Sequence, residues 1–417
     1  MMPSVPRDCC FPPSARSVPF ETARRTVVAL APPLNQREEV PLSCASGRIL
    51  AATIEAPRAL PSFDQAAMDG YAICMSGRRG VPLVLPVSGR TSAGDLLGVL
   101  APGTAHRIMT GAALPAGADT VVMQEDVMRR GDLVQLGRDI APGAHIRRAG
   151  EDVAQETAIL QPGCMIGWAE IALLAALGIE TVPVVRHLRI AVLSTGSELR
   201  AAVSPLRSGV IYDSNGPMLA ALLSGPNVHV TPLTVRDDEA AIADILESVM
   251  RSADLVITTA GMSVGEEDHA RDAVMRTGGH LDVVKVAMKP GKPLAFGKLG
   301  EACFVGLPGN PQAAAYGALA FVRPIMATLL GEAPARRITA ELAFTCSRKP
   351  ARTELVPVRL QVEQGRLTAR RSGPDGSHRI MPMVSADAIV IVPGASQPAE
   401  RGTLVDVLPF DRARFGG

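Results

Sequence analysis

From about Arg189 the chain alternates between apolar runs typical of buried strands and segments with a helical apolar face. Aliphatic and β-branched residues dominate four runs, RIAVLST, VHVTPLTV, DLVITTAG and CFVGLPGN, as in strands that are covered on both faces. Between them, EAAIADILESVM places Ile242, Ile245, Leu246 and Val249 on one helical face. This alternation predicts a mostly parallel, doubly wound α/β sheet.

The regions on either side of this sheet have a different pattern. Short β-like runs separated by Gly- and Pro-containing turns occupy residues 56–148 and predict a small all-β unit. After Gly331, similar runs return in ITAELAF, LVPVRLQVE, AIVIVPG and TLVDVLPF and predict a separate β domain. Residues 163–178 have a helical apolar face that ends at a glycine. The first two dozen residues, rich in Pro, Ser and Arg, predict a flexible tail.

The composition excludes several classes of protein. The 417 residues carry 42 Lys and Arg against 41 Asp and Glu, a net charge of +1 that argues against binding to nucleic acid or an anionic membrane. With 47% hydrophobic and 20% charged residues, the chain is not mainly disordered. Only 3% are aromatic, which argues against base-stacking platforms.

The cysteines and the N-terminus indicate a cytoplasmic protein. The seven cysteines include no C-x-x-C pair, which fits neither a disulfide framework nor a zinc ribbon. The N-terminal segment has no apolar core long enough for a signal peptide. The most apolar window, residues 171–179, is far shorter than a membrane span.

Polar side chains and glycine-containing turns follow the predicted strands. They comprise Glu198 after RIAVLST, Asp237 and Asp238 after VHVTPLTV, Ser263, Glu266, Glu267 and Asp268 after DLVITTAG, Lys289 and Lys292 in MKPGKP, and Gly309 and Asn310 in LPGNP. Ligands of open α/β sheets bind at the carboxyl ends of the strands. Glycine turns and lysines suit oxyanions, whereas carboxylates suit Mg²⁺. The sequence therefore predicts an Mg²⁺-assisted reaction on a phosphorylated or oxyanionic substrate.

Each group also has an ordinary structural role that it could play instead. An isolated Asp237 or Asp238 is more often a helix cap than a catalytic residue, and PGNP and PGKP also suit plain turns. No Walker A or G-x-G-x-x-G motif occurs, and the seven histidines lack metal-ligand spacing. The convergence of five polar loops on one sheet edge favours the functional interpretation.

Several segments resemble one family over residues 40–400. They are LPSFDQAAMDGYAI, RIMTGAALPAGADTVVMQEDV, RRAGEDV, RIAVLSTGSEL, GVIYDSNGPML, DLVITTAGMSVGEEDHARDAV, VAMKPGKPLAFGKL and FVGLPGNP. Together they resemble the MoeA family of molybdopterin molybdenumtransferases, which includes the E domain of gephyrin. MDGYA, the STG-x-EL loop, MKPGKP and GLPGNP make the resemblance highly specific.

The resemblance implies a multidomain α/β plus β fold. After a flexible tail (1–24), a discontinuous linker and dimerisation domain (25–55 and 149–183) would carry an inserted β-rich arm (56–148). A MogA-like, doubly wound α/β domain (184–332) would bind molybdopterin, and a C-terminal β barrel (333–417) would follow. Similar proteins are homodimers whose active site lies between the α/β domain of one subunit and the arm of the other.

The resemblance also implies a reaction and its residues. Adenylylated molybdopterin and molybdate would react with release of AMP, which leaves molybdenum on the dithiolene. The matching positions are Asp69, Asp152, Glu198, Asp237 and Asp268 as catalytic acidic residues, Glu198 and Asp268 as Mg²⁺ ligands, Lys289 and Lys292 for phosphate or molybdate, Ser263, Pro308 and Pro311 around the pterin and oxyanion pocket, and Asp213 and Asn215 in the nucleotide-side pocket. A MogA-like protein and molybdoenzyme clients are further candidate partners.

Four departures from the family pattern affect the predicted site. Gln65-Ala66 replaces Asn-Ser, Ala260 replaces a glycine, Ala313 replaces a serine, and Pro357 aligns with a family arginine implicated in molybdate binding. Lost charge-assisted hydrogen bonds in an oxyanion pocket would weaken molybdate binding by roughly 1.5–3 kcal/mol each. Arg352 or Arg359 is the expected compensation.

These departures leave two alternatives beside the transferase. A divergent MoeA paralogue would bind molybdopterin but handle tungstate or deliver the cofactor to a client enzyme, and Ala313 and Pro357 favour it. A non-enzymatic, gephyrin-like scaffold would bind partner peptides. The matching acidic positions favour the enzyme.

Overall fold

The structure is a computed structural model of the chain, and it describes residues 17–76, 82–137, 139–200, 204–260, 269–333 and 336–410. Three six-stranded sheets dominate it, and they belong to the inserted β unit, the α/β region and the C-terminal β region. The predicted multidomain α/β plus β fold is confirmed.

An N-terminal helix, α1 (Phe20–Val28), packs on the α/β region. The Phe20 ring lies edge-on to Phe321, with their centroids 5.5 Å apart. The flexible tail predicted for residues 1–24 is therefore wrong beyond residue 19, because apolar side chains on one helical face anchor the chain from Phe20 onward. The first 16 residues of that predicted tail lie outside the described part of the chain.

The inserted β unit follows two short strands, β1 (Arg37–Pro41) and β2 (Ile54–Glu55). Its strands are β3 (Gln65–Ala66), β4 (Gly70–Ile73), β5 (Leu83–Thr91), β6 (Ala105–Ile108), β7 (Thr120–Met123), β8 (Val127–Arg130), β9 (Leu133–Leu136) and β10 (Ile146–Arg147). Six of them form one sheet in the order β7-β4-β6-β5-β9-β8, while β3 pairs with β10. The unit buries its own apolar cluster around Tyr71, Ile73 and Val122.

The chain segments before and after this unit pair with each other. The second segment contains β11 (Ala158–Leu160), α2 (Trp168–Ala176) and β12 (Thr181–Val185). Antiparallel pairing joins β1 to β12 and β2 to β11, and a shared core contains Leu50, Leu174 and Val182. The helix predicted in residues 163–178 is confirmed by α2.

The α/β region contains most of the remaining elements. In chain order they are β13 (Leu188–Thr195), β14 (Leu199–Arg200), β15 (Ile211–Tyr212), α3 (Asn215–Leu223), β16 (Val228–Val235), α4 (Glu239–Val249), β17 (Leu255–Thr259), α5 (His269–Arg276), β18 (His280–Lys285), β19 (Met288–Lys289), β20 (Pro293–Leu299), β21 (Ala302–Leu307), α6 (Pro311–Gly317) and α7 (Arg323–Leu329). A π-helical segment, Ala318–Val322, joins α6 to α7.

Helices cover both faces of the sheet, whose order is β16-β13-β17-β21-β20-β18. The first four strands are parallel, and β20 runs antiparallel to both of its neighbours. Ile190 and Val192 pack into one core, whereas Ala191 and Leu193 pack into another on the opposite face. Such strands appear in the sequence as continuous apolar runs because both of their faces are buried.

The C-terminal region is a closed barrel of five strands. The elements are β22 (Ile338–Leu342), β23 (Thr353–Glu363), β24 (Arg366–Arg371), α8 (Met381–Val384), β25 (Ala388–Val392) and β26 (Leu404–Pro409). The order β23-β24-β22-β26-β25 closes through pairing of β25 with β23. β19 of the α/β region pairs in parallel with the start of β23, so the barrel is attached beside the sheet edge.

A partly buried ion-pair cluster holds the start of the α/β region. Asp254 accepts two hydrogen bonds from the Arg186 guanidinium, at 2.7 and 2.8 Å, and one from the backbone N–H of Arg189 at 2.9 Å. Burial opposes ionisation, but these donors outweigh it and lower the pKa of Asp254 to about 2. The charged carboxylate therefore stabilises the folded state.

We expect Asp254→Asn to lower the free energy of unfolding by about 2–3 kcal/mol at pH 7. Because the folded-state pKa lies below the ordinary value of 3.8, the contribution is complete above about pH 5 and is lost as the pH falls towards 2. Urea unfolding of both proteins at pH 7 and pH 3 measures the difference. A variant equally destabilised at both pH values would contradict the expectation.

Candidate functional site

A cleft of about 730 Å³ lies between the carboxyl-terminal edge of the α/β sheet and the barrel. Its sheet side is formed by residues that end or follow β13, β17 and β21. Its barrel side is formed by the start of β23 and the loop after β24. The cleft therefore occupies the place where open α/β sheets bind ligands.

Many of the residues predicted for the site come together in this cleft. Its lining includes Glu198, Asp213, Asn215, Lys289, Lys292, Pro308 and Pro311. They come from four separate segments of the α/β region. Three of these follow the parallel strands β13 and β21, and the segment with Lys289 and Lys292 leads into the antiparallel strand β20, which begins at the same edge. The expected convergence of polar loops is thus observed for these residues.

Other predicted residues lie elsewhere. Asp237 follows β16 at the same sheet edge but does not line the cleft. Asp69 and Asp152 lie in or beside the inserted β unit and are likewise absent from the lining. Ser263 and Asp268 fall outside the described residues.

Asp69 is held in place within its own unit. Its Oδ1 accepts hydrogen bonds from the backbone N–H and the hydroxyl of Thr110, both at 2.7 Å. The backbone N–H, followed by the hydroxyl, lowers the pKa of Asp69. The side chain is therefore a fixed, ionised carboxylate on the inserted unit.

Two glycines make room for acidic side chains on the sheet side of the cleft. A Cβ on Gly196 would lie 2.7 Å from Oε2 of Glu198, and a Cβ on Gly216 would lie 2.7 Å from Oδ2 of Asp213. Asp213 also accepts hydrogen bonds from the Gly216 N–H at 3.0 Å and from the Thr234 hydroxyl at 3.2 Å. These carboxylates lie over bare backbone, and a Cβ at either glycine would require the carboxylate to shift.

The barrel side contains a network of charges around Lys289. Its Nζ donates to Oδ2 of Asp375 at 3.2 Å and lies 3.7 Å from Oε2 of Glu354. Arg371 donates to the other oxygen of Asp375, and Arg352 donates to Oε1 of Glu354 at 2.6 Å. Burial favours the neutral form of the Asp375 carboxyl, but the positive charges of Arg371 and Lys289 outweigh this effect and hold the pKa of Asp375 below its ordinary value.

Sequence reasoning missed Glu354, Arg371 and Asp375, although all three line the cleft. They lie in the C-terminal β region, in which the sequence predicted a site role only for the segment around Pro357. The register of β19 with β23 places Lys289 directly beside Glu354. The position of Asp375 between a proline and a glycine, in the loop after β24, was the available signal.

The cleft also holds buried polar atoms without a partner among the described residues. Oδ1 of Asn215 and Nε2 of Gln312 are two of them, and both residues belong to the lining. The other end of Asn215, Nδ2, donates to the Gly309 carbonyl at 2.7 Å, which fixes the amide. An unpaired acceptor and an unpaired donor suit a ligand that carries both hydrogen-bond donors and acceptors along one edge.

Comparison with known proteins identifies the family. Family models match in chain order, as the MoeA N-terminal region (domain I and II) at residues 18–178, the "Probable molybdopterin binding domain" at 191–328, and the MoeA C-terminal region (domain IV) at 339–410. Molybdopterin molybdenumtransferase 2 of Mycobacterium tuberculosis is 37% identical over 380 residues, which cover 88% of this chain and 94% of that protein. The chain belongs to the MoeA family. The resemblance seen in the sequence motifs is confirmed.

Further relatives of the MoeA family agree over nearly the whole chain. Molybdopterin molybdenumtransferase of Haemophilus influenzae is 36% identical over 399 residues, covering 94% of this chain and 98% of that protein. The crystal structure of a molybdopterin biosynthesis MoeA protein from Pyrococcus horikoshii OT3 is 26% identical, with a TM-score of 0.81. It covers 95% of this chain and 100% of that chain.

The positions that depart from the MoeA pattern all lie in described parts of the structure. Ala260, Ala313 and Pro357 line the cleft, whereas Arg352 and Arg359 do not. Arg352 is paired with Glu354, and Arg359 donates to the Ser385 carbonyl at 2.8 Å. Neither arginine therefore lines the cleft in place of the lost guanidinium, although the partner of Arg352, Glu354, does line it.

Ala260 shows why the MoeA family has glycine at this position. Its φ is +70°, in the left-handed region where a Cβ is disfavoured. A Cβ on Gly309 would lie only 3.2 Å from the Ala260 Cβ, so these two chain segments pass closely. The alanine is accommodated with backbone strain.

We expect Ala260→Gly to raise the free energy of unfolding by about 0.5–1 kcal/mol, because the strain relieved exceeds the entropy that glycine adds to the unfolded chain. Ala101→Gly, at an exposed loop position without positive φ, is the matched control and is expected to destabilise. Denaturant midpoints measure both. Equal destabilisation by the two substitutions would contradict the expectation.

The described residues fit part of a magnesium site. Glu198 is an exposed carboxylate in the cleft, and Mg²⁺ in proteins is commonly held by one or two carboxylates plus phosphates of the substrate. Among the residues with described positions, no group of three or more His, Cys, Asp or Glu side chains is arranged to hold a metal ion. Asp268, the other predicted ligand, is not among them.

The length and hydropathy of the helices bear on whether the chain could span a bilayer. Within the described ranges, no helix is long and apolar enough to cross a membrane.

Proposed function

We propose that this chain is a molybdopterin molybdenumtransferase that inserts molybdate into adenylylated molybdopterin and releases AMP. The observation that carries the proposal is the cleft in which Glu198, Asp213, Lys289 and Lys292 meet at the carboxyl edge of the sheet. The membership of the MoeA family, whose relatives carry this name, supports the choice of substrate.

The residues on either side of the cleft have different proposed roles. Lys289 and Lys292 bind the phosphate or molybdate oxyanion, because their ammonium groups supply charge-assisted hydrogen bonds. Asn215 and Gln312 supply the unpaired acceptor and donor that recognise a polar heterocycle edge. Pro308 and Pro311 fix the turn between β21 and α6, which gives the cleft a rigid floor.

Glu198 and Asp268 are the proposed Mg²⁺ ligands. When bound, Mg²⁺ would neutralise the charge that develops on the phosphoanhydride as its bond to AMP breaks. Glu198 lines the cleft, and its carboxylate lies over the bare backbone of Gly196. Asp213 is fixed by its own hydrogen bonds and orients the nucleotide side of the substrate.

A homodimer would complete the site. Asp69 and Asp152 do not line the cleft of their own subunit, and the family arrangement would bring the inserted unit of one subunit to the cleft of the other. The fixed carboxylate of Asp69 then faces the partner's substrate. We expect this dimer in the cytoplasm, with a MogA-like protein upstream and molybdoenzyme clients downstream.

The direct test is AMP release from adenylylated molybdopterin by the purified chain with Mg²⁺, with and without micromolar molybdate. The proposal predicts that AMP is released only when both Mg²⁺ and molybdate are present. Release that tungstate supports better than molybdate would favour the tungstate-handling paralogue, to which Ala313 and Pro357 point. Tight pterin binding without any release would instead indicate a cofactor-delivery protein or a scaffold.

A further inference from the structure

Positive charge is in excess where the barrel meets the Lys289 loop. Lys289, Arg352 and Arg371 make ion pairs there with two carboxylates, Glu354 and Asp375. On the same loop, Lys292 is exposed and makes no ion pair with any residue that the structure describes. This barrel-side cluster has four cations against two carboxylates, whereas the other two carboxylates of the cleft lining, Glu198 and Asp213, lie on its sheet side.

Asp375 bridges two cations of the cleft lining. One carboxylate oxygen accepts from Lys289 and the other from Arg371. All three side chains are accessible, with 59% of Asp375, 46% of Lys289 and 32% of Arg371 exposed. A carboxylate held by an ammonium and a guanidinium makes the contacts that a bound oxyanion would make.

Arg371 is positioned independently of this carboxylate. Its guanidinium lies over the Phe344 ring, 4.9 Å from the centroid, and stacking of this kind restricts the planar group. It lies at the end of β24, where it pairs with Val358 of β23. The adjacent Arg370 is exposed, is paired with Glu363 and does not line the cleft.

Of the three side chains in this bridge, Asp375 is the one that can move away from its partners. Asp375 lies outside any helix or strand, between Pro374 and Gly376, whose φ is +146°. Exposed ion pairs of this kind contribute little stability, since water screens them. A dianion delivered to the cleft can therefore compete for both cations.

We infer that Arg371 and Lys289 form the oxyanion-binding pair of this cleft, and that the Asp375 carboxylate occupies the pair until the oxyanion of the substrate replaces it. Arg371 is thus a specificity-determining residue, and its planar fork favours tetrahedral oxyanions that accept two parallel hydrogen bonds. The identity of the oxyanion as molybdate rests on the proposed function.

Calorimetric titration of the full chain with sodium molybdate tests the inference. We expect Arg371→Met to weaken molybdate binding at least about tenfold and Arg371→Lys to weaken it about three- to tenfold. Arg370→Met, the matched control on the same strand, should change the affinity less than about twofold. Asp375→Asn should tighten binding about three- to tenfold because a competing anion is removed.

Titration with AMP, together with melting temperatures, separates a loss of oxyanion binding from a loss of nucleotide binding and from misfolding. We expect unchanged AMP affinity and similar melting temperatures for Arg371→Met and Arg370→Met. The inference would be overturned if these two variants bound molybdate equally well, or if Asp375→Asn bound molybdate more weakly than the unaltered chain. It would also be overturned if Arg371→Met lost affinity only for AMP, or if the unaltered chain did not bind molybdate. If the variants change molybdate affinity as expected but the unaltered chain releases no AMP, the proposed transferase function would be overturned and this inference would stand.

Discussion

We expect Lys289→Met to lower molybdate-dependent AMP release by about 100- to 1,000-fold while the fold remains intact. Lys289 lies between the sheet edge and the barrel, and its ammonium group contacts both Asp375 and Glu354. A positioned cation in a cleft stabilises the negative charge that develops as the phosphoanhydride breaks, and removal of such a group costs about two to three orders of magnitude in rate. Single-turnover measurement of AMP gives the effect on the chemical step.

The control for this substitution is Lys349→Met. Lys349 is an exposed lysine of the barrel region that does not line the cleft. Its variant should release AMP at the rate of the unaltered protein. Equal rates for Lys289→Met and the unaltered protein would remove Lys289 from the mechanism.

The second large effect is expected for Glu198→Gln, which keeps the size of the side chain and removes its charge. AMP release at saturating substrate should fall about 100-fold or more, and the Mg²⁺ concentration needed for half-maximal activity should rise, because one proposed metal ligand becomes neutral. A titration of activity with Mg²⁺ measures both quantities.

Glu180→Gln is the matched control for the carboxylate. Glu180 is exposed in the loop between α2 and β12 and does not line the cleft. An unchanged Mg²⁺ dependence in Glu198→Gln would exclude Glu198 as a metal ligand, even if the rate fell.

The α/β sheet and its carboxyl edge were predictable from the sequence for a physical reason. Strands covered on both faces need apolar residues at every position, as β13 shows by packing Ile190 into one core and Ala191 into another. The polar residues directly after such strands, including Glu198 and Asn310, then lie on one edge. Local sequence order is sufficient to find them.

The barrel side of the site could not be predicted in this way. Arg371 and Asp375 reach the cleft only because β19 pairs with β23, a contact between residues distant in sequence. No local pattern in RLTARRSGPDGSH indicates that pairing. Local sequence for this reason indicates Arg352 or Arg359, which flank Pro357, whereas Arg371, for which we infer an oxyanion-binding role, lies on the adjacent strand β24.

The start of α1 was missed for a related reason. The Pro-, Ser- and Arg-rich composition near the N-terminus indicates a flexible segment. Phe20 and Val27 do form one apolar helical face, but so few apolar residues do not outweigh that composition in a sequence window. The helix is stabilised by its packing on Phe321 and the surrounding core, which only the folded structure shows.

The most direct test of the transferase proposal is a simultaneous count of the two products in one turnover. The purified chain would be mixed with adenylylated molybdopterin, Mg²⁺ and molybdate, and AMP and pterin-bound molybdenum would be quantified from the same sample. We predict one pterin-bound molybdenum for each AMP released, with neither product formed when molybdate is omitted. AMP released at the same rate without molybdate, or without incorporation of molybdenum, would contradict the proposal.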